Sequence, residues 1–232
     1  MINKIVPSLH EAVHDIHDGA TIMISGFGTA GIPAELIDAL IEQKARDLTV
    51  INNNAGNAEY GLGALLKQGR VRKIICSFPR QVDSYVFDEL YRSGKIELEL
   101  VPQGTMAERI RAAGAGIGAF FTPTAFGTEL AAGKETRTID GRNYVLEKAL
   151  HADFSLIKAW RADRWGNLTY RMTARNFGPV MASAAKNTIV QVDDTVELGM
   201  LDPECIVTPG IYVDRVVKVK QKMTPKSNQG DK

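Results

Sequence analysis

The chain has 232 residues, with 28 Lys+Arg against 27 Asp+Glu, and 44% of its residues are apolar. At about 100–200 residues per domain, this length allows one large domain or two small ones, either with a real core. The formal charge of +1 excludes a nucleic-acid binder held by counterion release, and a charged fraction of 24% excludes a disordered chain. No run approaches the roughly 18 apolar residues of a membrane span, and Met1–Pro7 lack the apolar core of a secretory signal. Two cysteines, Cys76 and Cys205, make no disulfide framework in a chain this long. The expected setting is therefore the reducing cytoplasm, with neither nucleic acid nor membrane as partner.

Pro7-Ser8-Leu9-His10-Glu11 reads as a capping box, in which the Ser8 hydroxyl and the Glu11 carboxylate serve two orphan N–H groups at a helix start. Leu9, Ala12, Val13 and Ile16 supply the buried stripe, and Gly19 the stop. Ala20–Ile24 is a short, almost wholly apolar run, as in a strand covered on both faces. A glycine loop over 26–31 follows, then Pro33, then a helix over Ala34–Gln43 with Leu36, Ile37, Leu40 and Ile41 on one side. The alternation continues with a strand at Asp47–Asn52, a helix at Leu62–Gln68 and a strand at Val71–Cys76. A helix at Tyr85–Ser93 and a strand at Ile96–Val101 come next. Thr105-Met106-Ala107-Glu108 reads as a second capping box, opening a helix to about Ala113. Strands alternating with helices at these lengths predict right-handed crossovers and a mostly parallel sheet flanked by helices, an open α/β/α arrangement.

The later half reads differently. Glu135–Ile139 and Arg142–Leu146 flank Asp140-Gly141, a two-residue hairpin signal. Phe154–Trp160 is an apolar strand, and Gly166-Asn167 turns into Leu168–Tyr170. A helix at Pro179–Ala185 and strands at Thr188–Val192 and Ile211–Val219 complete a single domain over 1–219 with antiparallel hairpin additions. Residues 220–232 are rich in Lys, Ser, Asn and Gln and read as a disordered basic tail, with Lys218, Lys220, Lys222 and Lys226 as a solvated end. His10, His14 and His17 sit beside the apolar stripe of the first helix with no further ligand near, so no metal site is expected. His151 has no nucleophile motif to serve.

Gly26-Phe27-Gly28-Thr29-Ala30-Gly31 follows a strand and precedes a helix, the context of a dinucleotide fingerprint. A nicotinamide site, however, wants Asp or Glu at the end of the second strand, where this chain has Asn52-Asn53-Asn54. Neutral amides suit a carbonyl or an oxyanion better than a ribose. A nicotinamide-dependent oxidoreductase, a stand-alone acyl-CoA-binding module and a tight turn with no ligand all remain open on these residues.

Asp18-Gly19-Ala20-Thr21-Ile22-Met23-Ile24-Ser25-Gly26-Phe27-Gly28-Thr29-Ala30-Gly31-Ile32-Pro33 resembles the signature of the A (alpha) subunit of class I coenzyme A transferases. One position departs, because Ser25 stands where the first Gly of Gly-Gly-Phe is usual. Further stations resemble the same subunit in order, among them Asn52–Gly56, Val101–Thr105, Tyr144–Glu147, Lys158–Trp160, Ala174–Phe177 and Pro209–Val213. The resemblance implies transfer of CoA from an acyl-CoA to a carboxylic acid through a glutamyl-CoA thioester. In this family the glutamate lies in a Ser-Glu-Asn-Gly motif on the B subunit. That motif is absent here, and Glu129 and Glu135 lack its frame. The resemblance therefore implies no catalytic nucleophile in this chain, a B partner in an A2B2 assembly, and a CoA thioester as substrate with no tightly bound cofactor.

Ser25, Gly26, Phe27, Gly28, Thr29, Ala30 and Gly31 would then face CoA, while Asn53, Asn54 and Gln103 would surround the thioester or substrate carboxylate. Arg109 and Arg111 read as solvated or ion-paired surface groups. Cys76-Ser77-Phe78-Pro79-Arg80 resembles the 3-oxoadipate branch of the family, with the acetoacetate branch as the alternative. A second carboxylate on the acceptor wants a guanidinium, and Arg80 at the end of a strand could supply it, unless Asp83 or another surface carboxylate holds it.

Overall fold

The computed structural model describes residues 1–219; the tail expected from residue 220 lies outside them. Four strand–helix units open the chain. They are β1 (Thr21–Ile24) with α2 (Ala34–Gln43), β2 (Leu48–Ile51) with α3 (Leu62–Lys67), β3 (Val71–Cys76) with α4 (Tyr85–Arg92), and β4 (Glu97–Leu100) with α5 (Gln103–Gly114). A short α1 (Leu9–Val13) precedes them. The second half adds β8 (Ala152–Ala162), β9 (Leu168–Thr169), α6 (Gly178–Ala182), β10 (Ala185–Thr195) and β11 (Arg215–Lys218) to the same sheet. The strand order is β11-β10-β8-β1-β2-β3-β4, parallel throughout, with β9 antiparallel on β8. Between the halves, β5 (Ala119–Thr122), β6 (Thr136–Ile139) and β7 (Arg142–Lys148) form a separate antiparallel sheet in the order β5-β7-β6. The expected fold class is thus the observed one.

Side-chain alternation along the strands builds two core layers. On β1, Ile22 and Ile24 face a layer with Leu36, Ile37, Leu40, Leu62, Leu65 and Phe87, which docks α1 to α4. Met23 faces the other layer with Ile51, Ile75, Ile157, Val190, Met106, Ile110 and Met181, which docks α5 and α6. Near-continuous apolar runs such as Ile22–Ile24 are what a strand buried on both faces requires. Among the described residues, no helix is long and apolar enough to cross a membrane.

From β1 the chain steps outward through β2, β3 and β4, and later returns to lay β8, β10 and β11 on the other side. The β1/β8 junction is therefore the point where strand order reverses. In open α/β sheets, ligands bind outside the carboxyl ends of strands at such a point.

Several boundaries differ from expectation. Ser8 Oγ accepts the Glu11 N–H at 3.1 Å, but no return bond from the Glu11 carboxylate to the Ser8 N–H occurs among the described residues. The second capping box does not form. Helix α5 begins at Gln103 behind Pro102, whose φ of −53° and ψ of 137° are extended, so Thr105 lies inside the first turn and its buried Oγ1 has no hydrogen-bond partner. The helix read at Pro179–Ala185 is α6, ending at Ala182, and Ala185 already belongs to β10. The strand read at Ile211–Val219 begins only at Arg215, because Gly210–Tyr212 form a 3-10 turn. Strand β5 was not foreseen. Lys218, read as part of a loose basic end, sits in β11 and pairs with Asp194 at 2.6 Å.

Candidate functional site

The glycine loop leaves β1 at the strand-order reversal. Phe27 and Ala30 exchange backbone hydrogen bonds of 3.0 and 3.1 Å, a tight closure around Gly28-Thr29 that leaves the Phe27 ring half exposed. Ser25 is fully buried. Its φ is not positive, so nothing there demands glycine. Its hydroxyl donates to Gly31 O at 2.8 Å and accepts the Lys158 N–H at 3.1 Å. The serine at the departing position thus staples both ends of the loop and ties it to β8, and its side chain shapes the site from beneath.

Asn176 locks the loop from the outside. Its Nδ2 donates to Ala30 O at 2.9 Å and to Thr173 O at 2.8 Å, while its Oδ1 accepts the Phe177 N–H at 2.7 Å. The 3-10 turn Met172–Arg175 therefore lies directly against residues 29–31. One trough crosses this region. A cavity of about 280 Å³ is lined by Phe27, Gln103, Ala107, Asn176, Phe177 and Val180. A wider concavity of about 510 Å³ shares Phe27 and Asn176 with it. A third cavity, about 270 Å³, lies between the loop and β8 and shares Ala30 and Thr173 with the second.

At the amide end, three neighbouring strands deliver one polar cluster. Asn53 follows β2, Ser77 follows β3, and Gln103 opens α5 after β4. Asn53 Oδ1 accepts Gln103 Nε2 at 2.7 Å and the Ser77 hydroxyl at 2.8 Å. Two donors fix the Asn53 carbonyl, and Gln103 keeps its second amide hydrogen and its Oε1 for other partners. Asn53 is 1% exposed, whereas Gln103 is exposed and lines the trough. Gln103 is therefore the amide a ligand can touch, and Asn53 sets its direction.

Asn54 does not join them. It is fully buried, its Oδ1 accepts the Gly56 N–H at 2.9 Å, and its Nδ2 has no partner. Asn52 spends its amide on Ile24 O at 2.7 Å, tying β2 to β1. Arg80 also stands apart, with its Nε donating to Asp88 Oδ1 at 2.7 Å. The carboxylate expected as its partner is thus Asp88, one turn into α4, and not Asp83.

The base of α5 is held by charge. Arg109 bonds Lys148 O at 2.8 Å and Glu99 Oε1 at 3.2 Å, and Glu99 also takes Lys73 at 2.6 Å. Burial works against the Glu99 carboxylate, but Lys73 and then Arg109 outweigh it and hold its pKa below the usual range. Arg111 pairs with Glu108 on the surface. Arg111 is the ion-paired surface group expected, whereas Arg109 is ion-paired but largely buried.

Within the trough lining, Asp193 is the single carboxylate among the described residues. Neither cysteine offers a thiolate at neutral pH. Burial pushes Cys76 up to about 12, and the neighbouring Asp202 raises Cys205. The site can bind, orient and donate hydrogen bonds, and no glutamate lines these cavities among the described residues. Ser77 and Asn176 were not foreseen as parts of it. Asn176 stood in a recognisable Arg-Asn-Phe run and Ser77 in the Cys76–Arg80 run, but neither run marked which of its side chains belongs to the site.

A match to the coenzyme A transferase family covers residues 6–219. The A subunit of the Pseudomonas putida 3-oxoadipate CoA-transferase is 71% identical over 94% of this chain and 95% of its own length. The Acinetobacter baylyi protein of the same name is 64% identical over 98% and 99%. Among solved structures, an acyl-CoA transferase of E. coli O157:H7 superimposes with a TM-score of 0.81 at 24% identity; the match covers 94% of this chain but half of that longer one. From the approach to β1 through the last strand, therefore, the protein belongs to the coenzyme A transferase family.

Proposed function

We propose that this chain is the A subunit of a two-subunit transferase that moves CoA from succinyl-CoA to 3-oxoadipate, acting in the cytoplasm as an A2B2 assembly. The observation that carries this reading is a prepared amide, Gln103 held by Asn53, beside a glycine loop in a trough whose lining contains no glutamate among the described residues. Such a site supplies oxyanion stabilisation and must receive its attacking carboxylate from elsewhere, in this reading a glutamate on the B chain. The names of the relatives at 71% and 64% identity support both the place of this chain in the enzyme and the acid. Free Cys76 and Cys205 fit a reducing compartment. The glycine loop, Phe27 to Gly31 at its surface, would take the CoA thioester, which is substrate here and not a resident cofactor.

Relatives named as succinyl-CoA:3-ketoacid transferases, at 49% and 53% identity, keep acetoacetate as the second reading. Reconstitution with a B chain and a panel of acceptor acids tests both. Transfer should require the two chains together and favour 3-oxoadipate; full activity in the isolated chain would refute the division of labour.

Arg80 is the proposed cation for the acceptor's second carboxylate, which would compete with Asp88 for it. Arg80→Ala is expected to raise KM for 3-oxoadipate about tenfold, the scale of one lost charge-assisted contact, and to leave acetoacetate kinetics unchanged. Equal effects on both acids would remove Arg80 from the site.

A further inference from the structure

The amide end of the trough leaves its other end unexplained. There the glycine loop faces a wall made by β8. Ile24, the last residue of β1, pairs with Leu156, but β8 continues to Ala162. Lys158 and Trp160 on this projecting wall, with Arg171 from across the trough, line the cavity of about 270 Å³ beside Thr29–Gly31. Lys158 is half-buried and Arg171 exposed. Neither forms a side-chain hydrogen bond or an ion pair among the described residues, whereas cations elsewhere do, such as Lys73 with Glu99 and Lys134 with Glu147. Asp193 also lines the cavity, but it is engaged with a partner of its own. Met172, next to Arg171, has a φ of +50° and is 85% exposed. A long side chain pays strain for this left-handed backbone, and such strain gathers at ligand-binding segments.

We propose that Lys158 and Arg171 form an anion subsite for a phosphate group of CoA, at the opposite end of the trough from Gln103. The inference rests on the transferase reading. Its location is the crevice at the strand-order reversal, where parallel sheets take phosphorylated ligands. The pantetheine arm supplies the reach between the two ends of the trough. Asn53, which orients Gln103, follows β2, and Lys158 stands on β8 two strands away, roughly 10 Å at the usual strand spacing. The phosphates of CoA are separated from its sulfur by the whole pantetheine arm, and the trough past Phe27 and Ala30 offers the arm a path. The two cations then hold the carrier end while the amide cluster holds the reacting end.

Calorimetric titration of the assembled A–B pair with CoA, and separately with pantetheine, tests this without requiring turnover. Lys158→Met keeps the apolar stem and removes the charge; Arg171→Gln removes the other cation. Each is expected to weaken CoA binding at least about tenfold, the scale of a lost charge-assisted hydrogen bond, with pantetheine binding unchanged. Lys158→Arg and Arg171→Lys should restore most of the CoA affinity, and the surface variant Arg111→Gln should match the wild type. Unchanged CoA affinity in both charge-removing variants overturns the subsite, as does an equal loss for pantetheine. A loss that appears only in KM for a dicarboxylate acceptor assigns the cations to the acid and likewise overturns it. Absence of transfer by the wild-type pair would instead count against the transferase reading, so the two failures are distinguishable.

Discussion

Replacing Gln103 by Ala is expected to lower kcat of the reconstituted A–B pair by about 10²–10³, the loss typical of removing one preorganised donor to a developing oxyanion. The expectation comes from how the amide is held. Gln103 Nε2 donates one hydrogen to Asn53 Oδ1 at 2.7 Å, and that bond fixes where the second hydrogen points. Gln103 is the first residue of α5, and the helix is anchored by Arg109 to Glu99 and to Lys148 O, so its backbone position is also fixed. Phe27, Phe177 and Val180 line the same cavity, and an apolar surrounding makes such a donor worth more than it is in water. Asn53→Ala should act through Gln103. It removes the acceptor shared with Ser77 and frees the amide to turn, and a loss of about tenfold in kcat is expected, near the 1–2 kcal/mol worth of a buried hydrogen bond. Steady-state kinetics with saturating succinyl-CoA decide the matter. If Gln103→Ala keeps kcat within about threefold, the amide is not at the reacting carbonyl and the oxyanion role fails.

Much of this arrangement could be read from the chain before its structure. The runs Thr21–Ile24 and Leu48–Ile51 are mostly apolar because both sheet faces are covered, and Val71–Cys76 becomes so after Arg72-Lys73, so periodicity and length sufficed to place them. Thr105 misled because a Ser/Thr-x-x-Glu spacing is a local signal. The extended backbone of Pro102 had already begun the helix two residues earlier, and the threonine became a buried member of its first turn. Strand β5 was missed because four residues, Ala119–Thr122, gain meaning only by pairing with β7. The site shows the same division. The glycine loop was legible from its own residues, since close backbone turns need glycine locally. The Asn53–Ser77–Gln103 cluster joins the ends of three strands, so its membership depends on strand order, which spacing does not encode. Asn54 looked equivalent to Asn53, yet one residue along an extended chain reverses the side-chain direction, and it points into the protein.

Gly31→Ala is expected to damage the loop far more than Gly28→Ala, and the contrast isolates packing from backbone strain. Both glycines have left-handed φ, +76° and +60°, so both substitutions incur the roughly 1–2 kcal/mol that a Cβ costs in this region. At Gly28 the new methyl group would meet nothing within 4 Å. At Gly31 it would lie 2.5 Å from Ala174 O and 2.9 Å from Asn176 Nδ2. Those atoms belong to backbone and to the amide that bonds Ala30 O, so relief requires the 172–176 segment to move off the loop. Overpacking of this kind adds about 1–3 kcal/mol. At about 2–4 °C per kcal/mol for a domain of this size, Gly31→Ala should lower Tm by about 4–20 °C and Gly28→Ala by about 2–8 °C. Calorimetric melting of the two variants is the measurement. Because Arg171 directly precedes the displaced segment, Gly31→Ala should also weaken CoA binding by the assembled pair, whereas Gly28→Ala leaves that segment in place. Equal Tm losses in the two variants would mean that residues 172–176 do not clamp the loop, and the trough would lose the contact that defines its outer wall.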